Sequence, residues 1–210
     1  MQPVIKRTYK AEEIEINPHE VLRYLGYKKE LVTADDIAQV ENLLPEARSA
    51  IKAAACWGRF DIKLLPDDII SFPYGQVQSH DLWRNFALGA EKDILPSEIF
   101  IFAATIGLDY DRLVQRSRIS SMAKASFLNA IGAAAVEDVC DRLNDELKKI
   151  AAREGKELCP RYSPGYGDFA LENQKGIFNL LSPSKYTGLT LKDNMIMVPE
   201  KSVTAVIGIK

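Results

Sequence analysis

The chain has 210 residues, 47% hydrophobic and 27% charged, with a formal net charge of −2, a balance that suits a soluble globular protein of one large domain or two small ones. Both signs of charge are spread along the sequence, which excludes the electrostatic footprint of a nucleic-acid binder and the polybasic patch of a membrane-surface protein. No run approaches the ~20 apolar residues of a membrane span, and the opening MQPVIKRTYKAEEIEI has no apolar stretch of signal-peptide length, so the cytoplasm is the expected location.

EEIEI alternates and reads as a strand. NPHEVLRYLGY reads as a short helix with Asn17 as N-cap, Pro18 at the first helical position and Gly26 as terminator. Thr33 and Asp36 form an acidic capping box, opening a helix through Ile37, Val40, Leu43 and Leu44. Pro45 interrupts or kinks that helix, and the pattern runs on through Ala55. RFDIKLL alternates as a strand with Phe60, Ile62 and Leu64 on one face, and DDIISF is a shorter candidate. SHDLWRNFAL reads as a helix capped by Ser79, EIFIFAATIG as a buried strand ending near Gly107, and a helix should follow from about Asp109.

The longest pattern is SSMAKASFLNAIGAAAVEDVCDRLNDELKKIAAREGK. Leu128, Ile131, Ala135, Val139, Leu143, Leu147 and Ile150 recur at helical steps. Ala130, Gly132, Ala133 and Ala134 thin its middle, where something must pack close, and Gly155 stops it. DFALENQKGIFNLLSP reads as a helix with Asp168 as cap and Pro183 beyond its end. In the tail, GLTLK and MIMV are joined by a two-residue turn at Asp193-Asn194. KSVTAVIGI follows, with Val203, Ala205, Ile207 and Ile209 on one face. Strands cluster with helices between them and without steady alternation, so the expected class is α+β with a mostly antiparallel twisted sheet flanked by helices.

CPRYSPGYGDF, residues 159–169, is too rich in proline and glycine to be a regular element. GYGDFA matches a loose dinucleotide-binding turn, but ELCPRYSP before it carries two prolines and no βαβ unit surrounds it. Cys56, Cys140 and Cys159 read as free thiols, and His19 and His80 have no metal-ligand spacing. No Ser-His-Asp or Cys-His arrangement supports nucleophilic catalysis. Arg161 taken alone reads as a surface ion pair, and Tyr166 as a buried ring. Glu137 shares a helix with Asp138, Asp141 and Asp145, which reads as a solvated acidic face.

Arg161, Pro164, Gly165 and Tyr166 spell R-x-x-P-G-Y, which resembles the signature of the activation domain of cobalamin-dependent methionine synthase. ENQKGIFNLL and YTGLTL are similar to the helix, Thr-Gly and strand that follow that motif. MIMVPEKSVTAVIGI resembles the family's closing strand, and AAAVEDVCDRLNDEL its long helix. The likeness is firm over roughly residues 100 to 210 and loose before it. We divide the chain accordingly into an N-terminal portion, 1–100, and a ligand-binding portion, 101–210, of one fold.

The resemblance implies a subunit that binds S-adenosylmethionine and docks on a methionine synthase chain carrying cobalamin. A flavodoxin-type partner would supply an electron when that cobalamin oxidises. The protein would thus be a component of a methyltransferase system, working in trans and not catalytic alone. By this resemblance the ligand-contacting residues are Arg161, Pro164, Gly165, Tyr166, Gly167, Glu137 and Ile207. Arg161 can grip a carboxylate with paired, charge-assisted hydrogen bonds. Gly165 and Gly167 let the backbone approach a ligand, and the Tyr166 ring can stack on adenine or face the sulfonium. Ile207 stands where the family often has tyrosine, and Gly167 where it has proline. The family's acidic ligand contact near its start has no counterpart by motif. An adaptor that docks on a corrinoid protein without using S-adenosylmethionine is the alternative.

Overall fold

A computed structural model describes residues 3–87 and 95–210. The chain opens with strand β1 (Ile5–Tyr9), followed by a 3-10 turn at Ala11–Glu13. Helix α1 (Pro18–Tyr24) begins as expected: Asn17 accepts from His19 N, and Gly26 beyond its end takes φ +85°. Helix α2 (Ala34–Ala50) carries the full Thr33–Asp36 capping box and runs through Pro45. Strand β2 (Ala53–Asp61) then leads into a small meander of β3 (Lys63–Leu65), β4 (Ile69–Phe72) and β5 (Gly75–Gln78). Helix α3 (His80–Ala87) has Ser79 Oγ accepting from Leu82 N; Leu88, the last residue of the expected pattern, lies outside the described residues.

Strand β6 (Glu98–Thr105), helix α4 (Leu108–Ser120) and the 31-residue helix α5 (Met122–Ala152) follow. The last part holds helices α6 (Asn173–Leu181) and α7 (Pro183–Thr187) and strands β7 (Thr190–Leu191), β8 (Met197–Val198) and β9 (Ser202–Ile209). The main sheet is antiparallel in the order β1-β2-β6-β9, so it takes strands from both halves of the chain. The class is α+β, as the pattern of elements requires.

Alternation along the strands splits the interior into two layers. On one face, Trp57, Phe100, Phe102, Ala205 and Ile207 pack beneath Leu128, Ile131, Val139 and Leu143 of α5. On the other, Cys56, Ile99, Ile101 and Val206 meet Leu82 and Phe86 of α3 and Ile177 and Leu181 of α6. The thinned middle of α5 has its reason in Gly132, where a Cβ would lie 2.4 Å from the ring of Tyr110. That tyrosine is fully buried and donates its hydroxyl to Leu128 O at 2.6 Å.

Several expectations fail for physical reasons. EEIEI is not a strand. Ile14 and Ile16 are buried as the alternation implies, but side chains satisfy the backbone there: Arg48 donates to Ile14 O, and Glu15 N donates to Asp138 Oδ2. The helical pattern does not reach Ala55. The helix ends at Ala50, and Ala53 and Ala55 lie in central strand β2, facing the helices across the sheet. RFDIKLL is two strands in two sheets, broken at Ile62, although Phe60, Ile62 and Leu64 do share one apolar cluster.

Asp168 does not cap α6, which starts only at Asn173. Asp168 accepts from Ser79 Oγ, His80 N and Asp81 N and so caps α3 from across the fold. The β7–β8 connection is longer than the two-residue turn expected. It closes with Lys192 N donating to Ile196 O, and Met195 takes φ +64°.

Candidate functional site

Strand β9 is an edge strand, and the loop after α5 runs along it. Leu158 bridges Ile209, and Tyr162 exchanges both main-chain hydrogen bonds with Val206 at 2.9 Å. Beyond Tyr162 the loop turns away, because Pro164 and the left-handed Gly165 (φ +94°) cannot continue a ladder. Gly165 N bonds to Phe169 O at 2.7 Å, and the fully buried Phe169 ring anchors the returning chain. The space left between the departing loop, β9, α5 and α6 is a cavity of about 390 Å³.

The loop lines it with Arg161, Tyr162, Ser163, Pro164 and Tyr166, and α5 with Glu137. Gln174 of α6, Met197 of β8 and Ser202–Thr204 of β9 complete the lining. Arg161 donates from Nη2 to Glu137 Oε2 at 2.7 Å and from Nη1 to Asp141 Oδ1 at 2.6 Å. The surface ion pair read from Arg161 and the acidic face read from Glu137 are therefore one constellation at the mouth of the cavity. Tyr166 is 68% exposed, so it is a rim residue and not the buried ring weighed as its alternative.

Arg161, Pro164, Tyr166 and Glu137 meet at this cavity, and Gly165, Gly167 and Ile207 lie outside its lining. Ile207 points into the core beneath α5 and is fully buried. Gly167 has φ +51°, and a Cβ there would lie 2.2 Å from Asp81 Oδ2. Proline, held near φ −65°, cannot occupy that position. The departure at Gly167 thus follows from the left-handed backbone at this position.

Motif reading missed Tyr162, Ser163, Gln174, Met197 and the start of β9. Ser202 and Thr204 alternate with the apolar face of β9, and nothing local in the sequence separates such polar positions from solvated ones. A second cavity, of about 270 Å³, shares Glu137 and adds Glu15 and Glu20 from near the chain start. No motif could place those two carboxylates beside α5.

A solved structure of the MetH reactivation domain bound to AdoHcy superposes with a TM-score of 0.73 and 16% identity. The match covers 99% of this chain and 78% of that one. The fold is that of the MetH reactivation domain. No protein-family model and no curated protein matches the sequence. The α+β class and the long helix of the MetH domain, expected from the order of motifs, are shared over nearly the whole chain, including the N-terminal portion where motif likeness is loose.

Proposed function

We propose that the cavity binds S-adenosylmethionine and that the protein serves as a separate reactivation subunit for a cobalamin-dependent methionine synthase. The observation that carries this reading is the meeting of Arg161, Glu137, Pro164 and Tyr166 at one cavity, in a fold whose solved neighbour holds AdoHcy. The amino-acid end of the ligand needs an anion grip and a cation grip side by side. Arg161 and Glu137, 2.7 Å apart, supply that pair. The exposed Tyr166 ring at the rim can face the sulfonium or the adenine.

Cobalamin, held by the partner chain and reduced by a flavodoxin-type donor, would supply the nucleophile that takes the methyl group, leaving S-adenosylhomocysteine. This chain's residues then need no acid or base: Arg161 and Glu137 fix the amino-acid end, and the loop presents the methyl outward. The expected setting is the cytoplasm, with no role for nucleic acid or a membrane surface; among the described residues no helix is long and apolar enough to cross a membrane.

Calorimetric titration with S-adenosylmethionine and S-adenosylhomocysteine tests the ligand, with Arg161→Ala expected to weaken both about tenfold or more. Recovery of a cob(II)alamin-inactivated methionine synthase lacking its own activation domain tests the role. One observation favours a second reading: Arg161 already has two carboxylate partners within its own chain. On that reading the protein is an adaptor that docks on a corrinoid protein without the ligand, and Arg161→Ala leaves docking unchanged.

A further inference from the structure

The charged mouth of the cavity leaves its floor unexplained. Gln174 is 4% exposed and Thr204 2% exposed, and both line the cavity. Gln174 Oε1 and Thr204 Oγ1 are buried, and no group among the described residues pairs with either. Buried polar atoms are nearly always paired in folded proteins, because an unpaired one keeps the full cost of leaving water. Two such atoms on adjoining elements of one cavity mark a place prepared for a polar ligand.

The main chain adds to this. Val206 spends both its hydrogen bonds on Tyr162, so alternation along β9 turns the N–H and C=O of Thr204 toward the same edge. Among the described residues none pairs with them on that edge.

We propose that this floor reads the adenine base of the ligand, with Gln174 as the specificity-determining residue and Thr204 beside it. The inference rests on the S-adenosylmethionine reading above. A primary amide carries an acceptor and a donor side by side. It matches the exocyclic amino group and N7 of adenine, the pair by which Gln or Asn reads that base, whereas the oxo analogue offers two acceptors there and leaves the amide oxygen unpaired in either orientation. The terminal amide turns about its last bond at small cost, so a ligand donor can draw Oε1 out of its unpaired position. Ribose hydroxyls suit a carboxylate better, and Glu137, the one carboxylate lining this cavity among the described residues, sits at the mouth with Arg161. Met197 and Val203 give the flat base apolar walls.

The test is titration of the full chain with S-adenosylhomocysteine and with S-inosylhomocysteine, in which an oxo group replaces the amino group. The unmutated protein should prefer the adenine form by about tenfold or more, and Gln174→Leu should lose that preference along with affinity. Thr204→Val replaces an unpaired hydroxyl by a methyl of the same shape. It should raise the melting temperature while weakening S-adenosylhomocysteine several-fold, a combination that a purely structural role does not produce. Equal affinity of the unmutated protein for the two ligands overturns the inference and leaves the proposed function standing, as does a preference that survives Gln174→Leu. Absence of S-adenosylhomocysteine binding removes both. Should Gln174→Leu fail to fold, the preference of the unmutated protein and the Thr204→Val pair of measurements decide.

Discussion

Arg161 stands between two carboxylates of unequal standing. Glu137 is 42% exposed and lines the cavity, while Asp141 is 68% exposed and lies beside it. A ligand carboxylate must displace one of them, and the exposed pair with Asp141 contributes only ~0–1 kcal/mol. Asp141→Asn should therefore tighten S-adenosylhomocysteine binding by up to about fivefold, the same increment expressed as affinity. Glu137→Gln removes the ammonium partner and should weaken binding about tenfold. Calorimetry on the two variants reads both effects, and unchanged affinity in both would mean that neither carboxylate meets the ligand. At this scale the sequence showed which residue types gather at a turn that cannot be helix or strand. It could not show Gln174 or Thr204, because their significance lies in lacking partners, a property of three-dimensional packing.

Among the elements, α3 is held by a residue 88 positions away. Asp168 accepts from Ser79 Oγ, His80 N and Asp81 N, while Asp168 N donates to Asp81 Oδ2. Hydrogen bonds from the Ser79 hydroxyl and then from these amides hold the Asp168 carboxyl below its ordinary value. A depressed carboxyl favours folding above its unfolded value, and that contribution is lost as pH falls through the folded one. Asp168→Ala should cost about 1 kcal/mol or somewhat more at neutral pH. Its deficit against the unmutated protein should shrink once the pH drops below about 4, the ordinary range for aspartate. Urea unfolding at several pH values measures this, and a deficit independent of pH would show that the charge is not what caps the helix.

Gly132 presents the opposite case. Alanine is the better helix former by ~1 kcal/mol, but its Cβ would lie 2.4 Å from the buried Tyr110 ring. Gly132→Ala should therefore destabilise by about 1–3 kcal/mol. Glycine among small residues was legible in the sequence as close packing, just as Asn17, Thr33 and Asp36 were legible as caps, because those signals act within one turn of helix. The alternation of EEIEI reported burial correctly, and pairing wrongly, since an arginine and an aspartate take up the hydrogen bonds a neighbouring strand would have made. The alanines of β2 favour a helix locally, and their place between β1 and β6 overrides that preference.

Over the whole molecule, the cavity is where separately placed parts of the chain converge: α5, the loop on β9, α6 and the β7–β8 hairpin. A ligand there binds only the folded arrangement, so its affinity adds to global stability by mass action. At a free concentration one hundred times the dissociation constant, the gain is about 2.7 kcal/mol. A chain of this size shifts its melting temperature by ~2–4 °C for each kcal/mol, so S-adenosylhomocysteine should raise it by about 5–10 °C. Arg161→Ala should remove most of that rise. It should leave the unliganded melting temperature within about 4–8 °C of the unmutated protein, because the two arginine ion pairs involve partly exposed carboxylates worth at most ~1 kcal/mol each. Scanning calorimetry with and without ligand separates the cases. A much lower unliganded melting temperature for Arg161→Ala, with the ligand-induced rise intact, would make the arginine a brace between the loop and α5. A lost rise over an unchanged baseline is what a ligand-binding arginine requires.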